Sequence, residues 1–264
     1  IEIMIFDLQD VGVRFCTYLS TLHYVMEACA ENNIPVIILD RPNPNLHYLD
    51  GPVMEETYTS FLGMHPVPIV YGMTIGEYAQ MINGERWLKR GIRCKLSVIP
   101  VENYNRKSSY ELSVRPSPNL PNPQSIALYP SLCLLEPTVI SVGRGTDFQF
   151  QIYGHPKLPK SDFTFTPLPN FGAKNPKLKD HLCYGKNLTK VLRPNQLELK
   201  WLMDAYKNLP KSNIFFLKGF NKIAGNSSLK EQVISGVSEI EIRKSWKPKL
   251  KIFTGIREKY LIYN

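Results

Sequence analysis

Little in this 264-residue chain would hold a metal, a nucleotide or a bilayer. No stretch approaches the ~20 consecutive apolar residues that a spanning helix needs. The five cysteines, Cys16, Cys29, Cys94, Cys133 and Cys183, are odd in number and widely spaced. That arithmetic signals neither a zinc knuckle nor a disulfide framework and leaves semi-buried free thiols. The histidines, His23, His47, His65, His155 and His181, show no metal-ligand spacing. Only His155, between Gly154 and Pro156, sits in a loop suggestive of a site, and a loop histidine satisfied by its neighbours is the commoner case. No Gly-x-Gly-x-x-Gly follows a strand, and no phosphate loop ending in Gly-Lys-Ser/Thr exists. Gly143-Arg-Gly145 is a fragment of a glycine-rich loop and no more. A Gly-x-Ser-x-Gly nucleophile elbow is also missing.

What is present is ordinary in amount and uneven in placement. Hydrophobic residues make up 43% and charged residues 21%, as in a globular protein. The net charge of +9 is divided unequally: residues 1–156 carry 11 basic and 15 acidic side chains, residues 157–264 carry 21 and 8. Two regions with different surfaces are expected. A basic half can meet nucleic acid, anionic lipid or an anionic wall polymer, although scattered lysines more often form a solvated face. Nucleic acid is not expected as a partner, because no recognition motif and no run of aromatics accompanies the lysines. Ile1–Asp7 already reads as a buried strand, so further sequence is expected upstream, and the lack of a leader says nothing of localisation.

The first forty residues read as one βαβ unit. Apolar runs at 1–7 and 34–39 flank a helix over 18–32, with Leu19, Leu22, Val25, Met26 and Cys29 at helical spacing. Two such strands should be parallel with a right-handed crossover. Neither has a polar face, which predicts helices on both sides of the sheet. Prolines and asparagines at 41–45 and 50–52 exclude regular structure there. Thr74 with Glu77 predicts a capping box and a helix ending near Asn83-Gly84. Residues 95–101 read as a further strand. Pro116, Pro118, Pro121 and Pro123 predict an ordered loop or linker running to Tyr129-Pro130, with a domain boundary near it. The expected architecture is therefore α/β: a Rossmann-like parallel-sheet domain over 1–115, then a smaller α+β domain over 116–264. The latter has strands expected at 162–166 and 213–217 and helices at 196–208 and 228–235.

In open parallel sheets, ligands bind beyond the carboxyl ends of the strands. Asp7 and Asp10, with Gly12 and Arg14, follow the first strand, and Asp40 and Arg41 follow the second. The bland account of this repeated pattern is an ion-pair network holding loops. The other account is a sugar site, made of carboxylate, arginine, amide and aromatic groups. A glycosidase normally needs two carboxyl groups, and Asp7, Asp10, Asp40, Glu136 and Asp147 are on offer.

These same residues carry a family resemblance. Phe6-Asp-Leu-Gln-Asp-Val-Gly-Val-Arg-Phe15 with Thr17-Tyr18, Leu39-Asp-Arg-Pro-Asn-Pro44 with Asp50-Gly-Pro52, and Tyr71-Gly-Met-Thr-Ile-Gly-Glu77 come first. Pro116-Ser-Pro-Asn119, Tyr129-Pro130, Glu136, Gly143-Arg-Gly-Thr146, Trp246 and 257–263 follow in order. Together they resemble the exo-β-N-acetylmuramidase (NamZ-type) family from end to end. The resemblance implies a cleft between the two domains. It implies release of β-linked N-acetylmuramic acid from the non-reducing end of peptidoglycan fragments, without metal or organic cofactor, at a periplasmic or cell-surface location. It implies Glu136, Asp10 and Asp147 as catalytic candidates. Asp7, Arg14, Asp40, Arg41, Asn43, Tyr71, Ser117, Asn119 and Arg144 are implied to bind substrate, the arginines taking the lactyl carboxylate. The family carries further βα units upstream, with a Gly-Pro-Glu-His-Gly-Phe-Arg-Gly loop whose Glu is also a candidate acid. Pro137 and Gln149 stand where the family usually has Gly and Pro. A peptidoglycan-binding protein without turnover is the alternative expectation.

Overall fold

The computed structural model describes residues 1–212 and 214–264. In chain order its elements are β1 (Met4–Phe6), α1 (Tyr18–Glu31), β2 (Val36–Leu39), α2 (Ile75–Gly84), β3 (Leu96–Ile99), α3 (Pro123–Leu132), β4 (Ile152–His155), β5 (Thr164–Phe165), β6 (Cys183–Asn187), α4 (Lys200–Asn208), α5 (Phe220–Ala224), α6 (Ser228–Ile234) and α7 (Glu239–Arg257). Two compact units result: Ile1–Tyr110 with Lys244–Asn264, and Glu111–Arg243. The sequence boundary placed everything from 116 onward in the second domain, whereas residues 244–264 pack into the first unit. Burial and hydrogen bonding account for the return: Phe253 is in the first unit's core, and the Tyr263 hydroxyl donates to Asp40 at 2.6 Å.

In the first unit β1, β2 and β3 form a parallel sheet in that order, with Met4 opposite Val36 and Val36 opposite Leu96. The βαβ reading of the first forty residues is thus realised. Among the described residues the helices lie on one face of this sheet; on the other, Ile5 of β1 and Ile99 of β3 are exposed, and burial along β2 alternates between buried and half-buried. The covered face packs Phe6, Val36 and Ile38 against Leu19, Leu22 and Met26 of α1 and Tyr78, Ala79 and Ile82 of α2. α2 starts where the capping box predicts: the Thr74 hydroxyl accepts from Glu77 N and the Glu77 carboxylate accepts from Thr74 N.

The second unit holds an antiparallel sheet in the order β4-β6-β5. β4 and β6 went unread in the sequence, because Gly154 and Gly185 dilute both runs. Those glycines face each other across the ladder, and a Cβ on Gly185 would lie 1.8 Å from the Tyr153 carbonyl oxygen. The prolines of the expected linker do not prevent a helix. Asn122 caps α3 in a capping box with Ser125, and Pro123 takes the first turn, where no N–H is required. The strand expected over 213–217 is reduced to a bridge between Phe216 and Thr138, and Asn213 lies outside the described residues. All five cysteines are free, and four are buried. Among the described residues, no helix is long and apolar enough to cross a membrane.

Candidate active site

In the first unit the two strand ends are laced together. Gln9 donates to the Pro42 carbonyl at 2.9 Å, Asn45 to the Val11 carbonyl at 2.9 Å, and Asn43 to the Met73 carbonyl at 2.8 Å. Gly12 makes this approach possible: its φ is +78°, and a Cβ there would fall 2.1 Å from Asn43 Oδ1. Asp10 is buried beneath this loop. Its Oδ2 accepts from Gly12 N at 2.7 Å and from the Tyr71 hydroxyl. Its Oδ1 is buried with no partner among the described residues. Burial pushes the Asp10 pKa up, against the lowering effect of the Tyr71 and Gly12 hydrogen bonds. A buried carboxyl that is reluctant to ionise is chemically a proton holder.

The remaining residues singled out in this unit fall into two kinds. Asp40 is saturated: it accepts from Thr74 Oγ1, Tyr263 Oη, Gly76 N and Arg41 N, at 2.6 to 2.9 Å. Arg14 is fully buried, and its Nη1 donates to the Pro52 and Val67 carbonyls at 2.9 and 2.7 Å. Burial lowers its pKa to about 9. Tyr71 is buried as well, its hydroxyl given to Asp10. By contrast Arg41 and Asp7 are accessible and paired with each other at 2.5 Å.

In the second unit, Glu136 follows α3 and a short 3-10 turn, and Arg144 lies in the Gly143–Gly145 turn. Arg144 grips both carboxylate oxygens of Glu136, Nε at 3.0 Å from each and Nη2 at 2.7 Å from Oε2. Its guanidinium also lies 5.1 Å over the Phe150 ring. Both partners keep contact with solvent, at 26% for Glu136 and 35% for Arg144. Glu136 is thus a carboxylate with a defined direction and an open side. Asp147, in the same segment, is exposed. Asn119 is buried and donates to the Gly172 carbonyl at 2.8 Å, and Ser117 accepts from Asn119 N at 3.3 Å. Among the described residues no group of three His, Cys, Asp or Glu side chains could hold a metal ion.

Two descriptions of exo-β-N-acetylmuramidase NamZ match the chain, the N-terminal part over residues 1–124 and the C-terminal part over residues 127–263. The peptidoglycan β-N-acetylmuramidase NamZ of Bacillus subtilis is 36% identical over 284 aligned positions, which take in all of this chain and 68% of that protein. The chain belongs to the exo-β-N-acetylmuramidase NamZ family. Its fold is also that of a crystal structure of a DUF1343 family protein from Bacteroides fragilis, with a TM-score of 0.97 at 44% identity, over all of this chain and 76% of that one. A second DUF1343 protein from the same organism gives 0.82 at 26% identity, over 100% and 75%.

For this NamZ-family chain, sequence reading missed two groups that the fold brings into play. Lys177 reaches the backbone of the Glu136 segment, and nothing marks it among the scattered lysines of its half. His23 and His65 form the other group, a buried pair joined Nδ1 to Nε2 at 2.9 Å. His65 Nδ1 lies 3.0 Å from the Tyr78 hydroxyl. Burial lowers the pKa of His65 well below 6.5, aided by His23, and burial lowers that of His23 against the pull of Glu27. The unfolded chain then takes up protons that the folded chain refuses. Stability is full above about pH 6.5 and falls as the pH drops below it. Denaturant unfolding should show its midpoint decreasing from pH 7 to pH 5, with a smaller decrease in His65→Gln. A slope identical in the variant would assign the acid sensitivity elsewhere.

Proposed function

We propose that the chain is a glycoside hydrolase that releases β-linked N-acetylmuramic acid from the non-reducing end of peptidoglycan fragments. The carrying observation is the family match along both parts of the chain, within which Glu136 stands partly open and aligned by Arg144. Glu136 is the working carboxylate of this reading, with Asp10 and Asp147 as the further carboxyl candidates. Arg41 and Arg144 are the arginines with accessible surface to offer the lactyl carboxylate. Peptidoglycan lies outside the cytoplasmic membrane, so a periplasmic or surface location goes with this substrate; fractionation of cells against a cytosolic marker tests it. The test of activity is release of chromophore from a β-linked N-acetylmuramic acid glycoside and from the N-acetylglucosamine analogue, which lacks the lactyl group. Selective turnover of the first is expected, and equal rates on both would sink the assignment.

One observation favours the alternative of binding without turnover: both oxygens of Glu136 are already engaged by Arg144. Retention of a muramic acid saccharide with no release of product over hours would decide for that alternative. A contact of the basic C-terminal half with anionic wall polymer is part of the same proposal. Retention on isolated wall should weaken as salt rises, since exposed charges are screened beyond ~8–10 Å near physiological ionic strength. Retention indifferent to salt would return those lysines to a solvated face.

A further inference from the structure

The run from Glu136 to Ile140 has two edges. On one, Val139 N donates to the Phe215 carbonyl at 3.0 Å and the Pro137 carbonyl accepts from Leu217 N at 2.9 Å. On the other, the carbonyls of Glu136, Thr138 and Ile140 all accept from Lys177 Nζ, at 2.7, 2.5 and 3.0 Å. A turn at Glu136 and Pro137, where Glu136 is in the right-handed helical region, and a bend after Thr138 bring these alternate carbonyls onto one point. An ammonium has three N–H donors and no acceptor. Its donors are therefore all spent on the backbone of this one short segment.

Glu136 heads this run, and its carboxylate is the group that Arg144 grips. We propose that Lys177 is a positioning residue for Glu136: it fixes the backbone from which the carboxylate is presented, and so governs turnover without touching substrate. The proposal rests on Glu136 being the working carboxylate. Three charged or titratable groups face the ammonium. Burial lowers the Lys177 pKa to about 8, with Glu136 opposing the shift and Arg144 adding to it. His155 feels the same charge: its pKa is lowered by burial, then by Lys157 and Lys177.

A neutral amine keeps two N–H donors, so one of the three carbonyls is deserted as the pH rises through about 8. Folding does not suffer from this titration. The folded chain gives up the proton more easily than the unfolded one, so Lys177 adds stability as the pH climbs from about 8 to 10.5. Activity and stability therefore move apart.

The experiment is a pH profile on the chromogenic muramic acid glycoside. For the unaltered protein, kcat should fall about tenfold with its midpoint near pH 8, KM unchanged, because small losses of alignment act on the chemical step. Lys177→Arg holds its cation beyond about pH 12 and should lose the step. Lys177→Met should show a lowered kcat that stays flat through the same range, with KM retained. A step that survives in both variants, or Lys177→Met turning over like the parent, would overturn the proposal. Should neither variant fold, the parent's profile decides, and a kcat without a step between pH 7 and 10 rejects it. Glu136→Gln runs alongside. Full turnover there removes the reading of Glu136 and the role of Lys177 with it, whereas a dead Glu136→Gln beside an unmoved pH step condemns Lys177 alone.

Discussion

Replacing Glu136 by glutamine should lower kcat on a muramic acid glycoside by ~10²–10⁴, the usual cost of losing a group that moves a proton in the transition state. The substitution keeps the side chain's length and one oxygen for Arg144. What it removes is the negative charge and the ability to take up or give a proton. The Arg144 guanidinium, stacked over Phe150 and partly exposed, can find water in place of the lost oxygen. The folded fraction should therefore hold while turnover collapses. KM should change less than kcat, because the loss lies in the reacting state. Turnover unchanged in Glu136→Gln would leave Glu136 as a tie between α3 and the Gly143–Gly145 turn. The search for the acid would then pass to Asp10 and Asp147, in that order, since burial already biases Asp10 toward its protonated form.

The sequence made the first unit easier to read than the second, and the difference has a physical origin. β1, α1, β2 and α2 are built from contiguous apolar runs and a local capping pattern, so their signals lie within a few residues of one another. β4 and β6 owe their existence to pairing across some thirty residues, through glycines whose usefulness is closeness rather than propensity. The same distinction holds among the functional candidates. Asp10 and Asp40 were found by their position at strand ends, Asn43 and Tyr71 by the family resemblance; in the structure Tyr71 donates to Asp10, and Asn43 and Asp40 hold the Met73–Thr74 segment. Their burial was beyond reach, because it depends on Gly12 admitting Asn43 and on the return of Tyr263. Arg14 and Arg41 look equivalent in sequence, yet one is buried with its Nη1 on two backbone carbonyls and the other pairs with a surface carboxylate. Lys177 shows the limit most plainly: one lysine among many, distinguished only by three carbonyls that converge on it once the Glu136–Ile140 turn is formed.

The largest loss of stability is expected from Glu77→Ala. Glu77 is fully buried, and its role as a helix cap is the smaller part of what it does. Arg106 Nη1 lies 2.9 and 3.1 Å from its two oxygens, and Ile262 N and Tyr263 N donate to Oε1 at 2.9 and 3.3 Å. Arg106 also donates to the Gly72 carbonyl, which Arg257 Nε meets at 2.9 Å. One carboxylate thus joins the start of α2, the segment after β3 and the returning C-terminal residues. Alanine would strip the acceptor from three backbone amides, those of Thr74, Ile262 and Tyr263, and leave Arg106 largely buried without its counter-charge. Breaking one side of such a pair costs about 3–5 kcal/mol, a large share of the 5–15 kcal/mol typical of a folded domain. Glutamine should lose less, because one oxygen can still accept from the amides while the charge is gone. Urea titration read by tryptophan fluorescence measures the loss, and amide exchange locates it, with Ile262 and Tyr263 deprotected before the β2 amides. A loss below about 1 kcal/mol, the scale of an ordinary single hydrogen bond, with those two amides still protected, would show that the C-terminal residues are held by their apolar contacts and by Tyr263 on Asp40 instead.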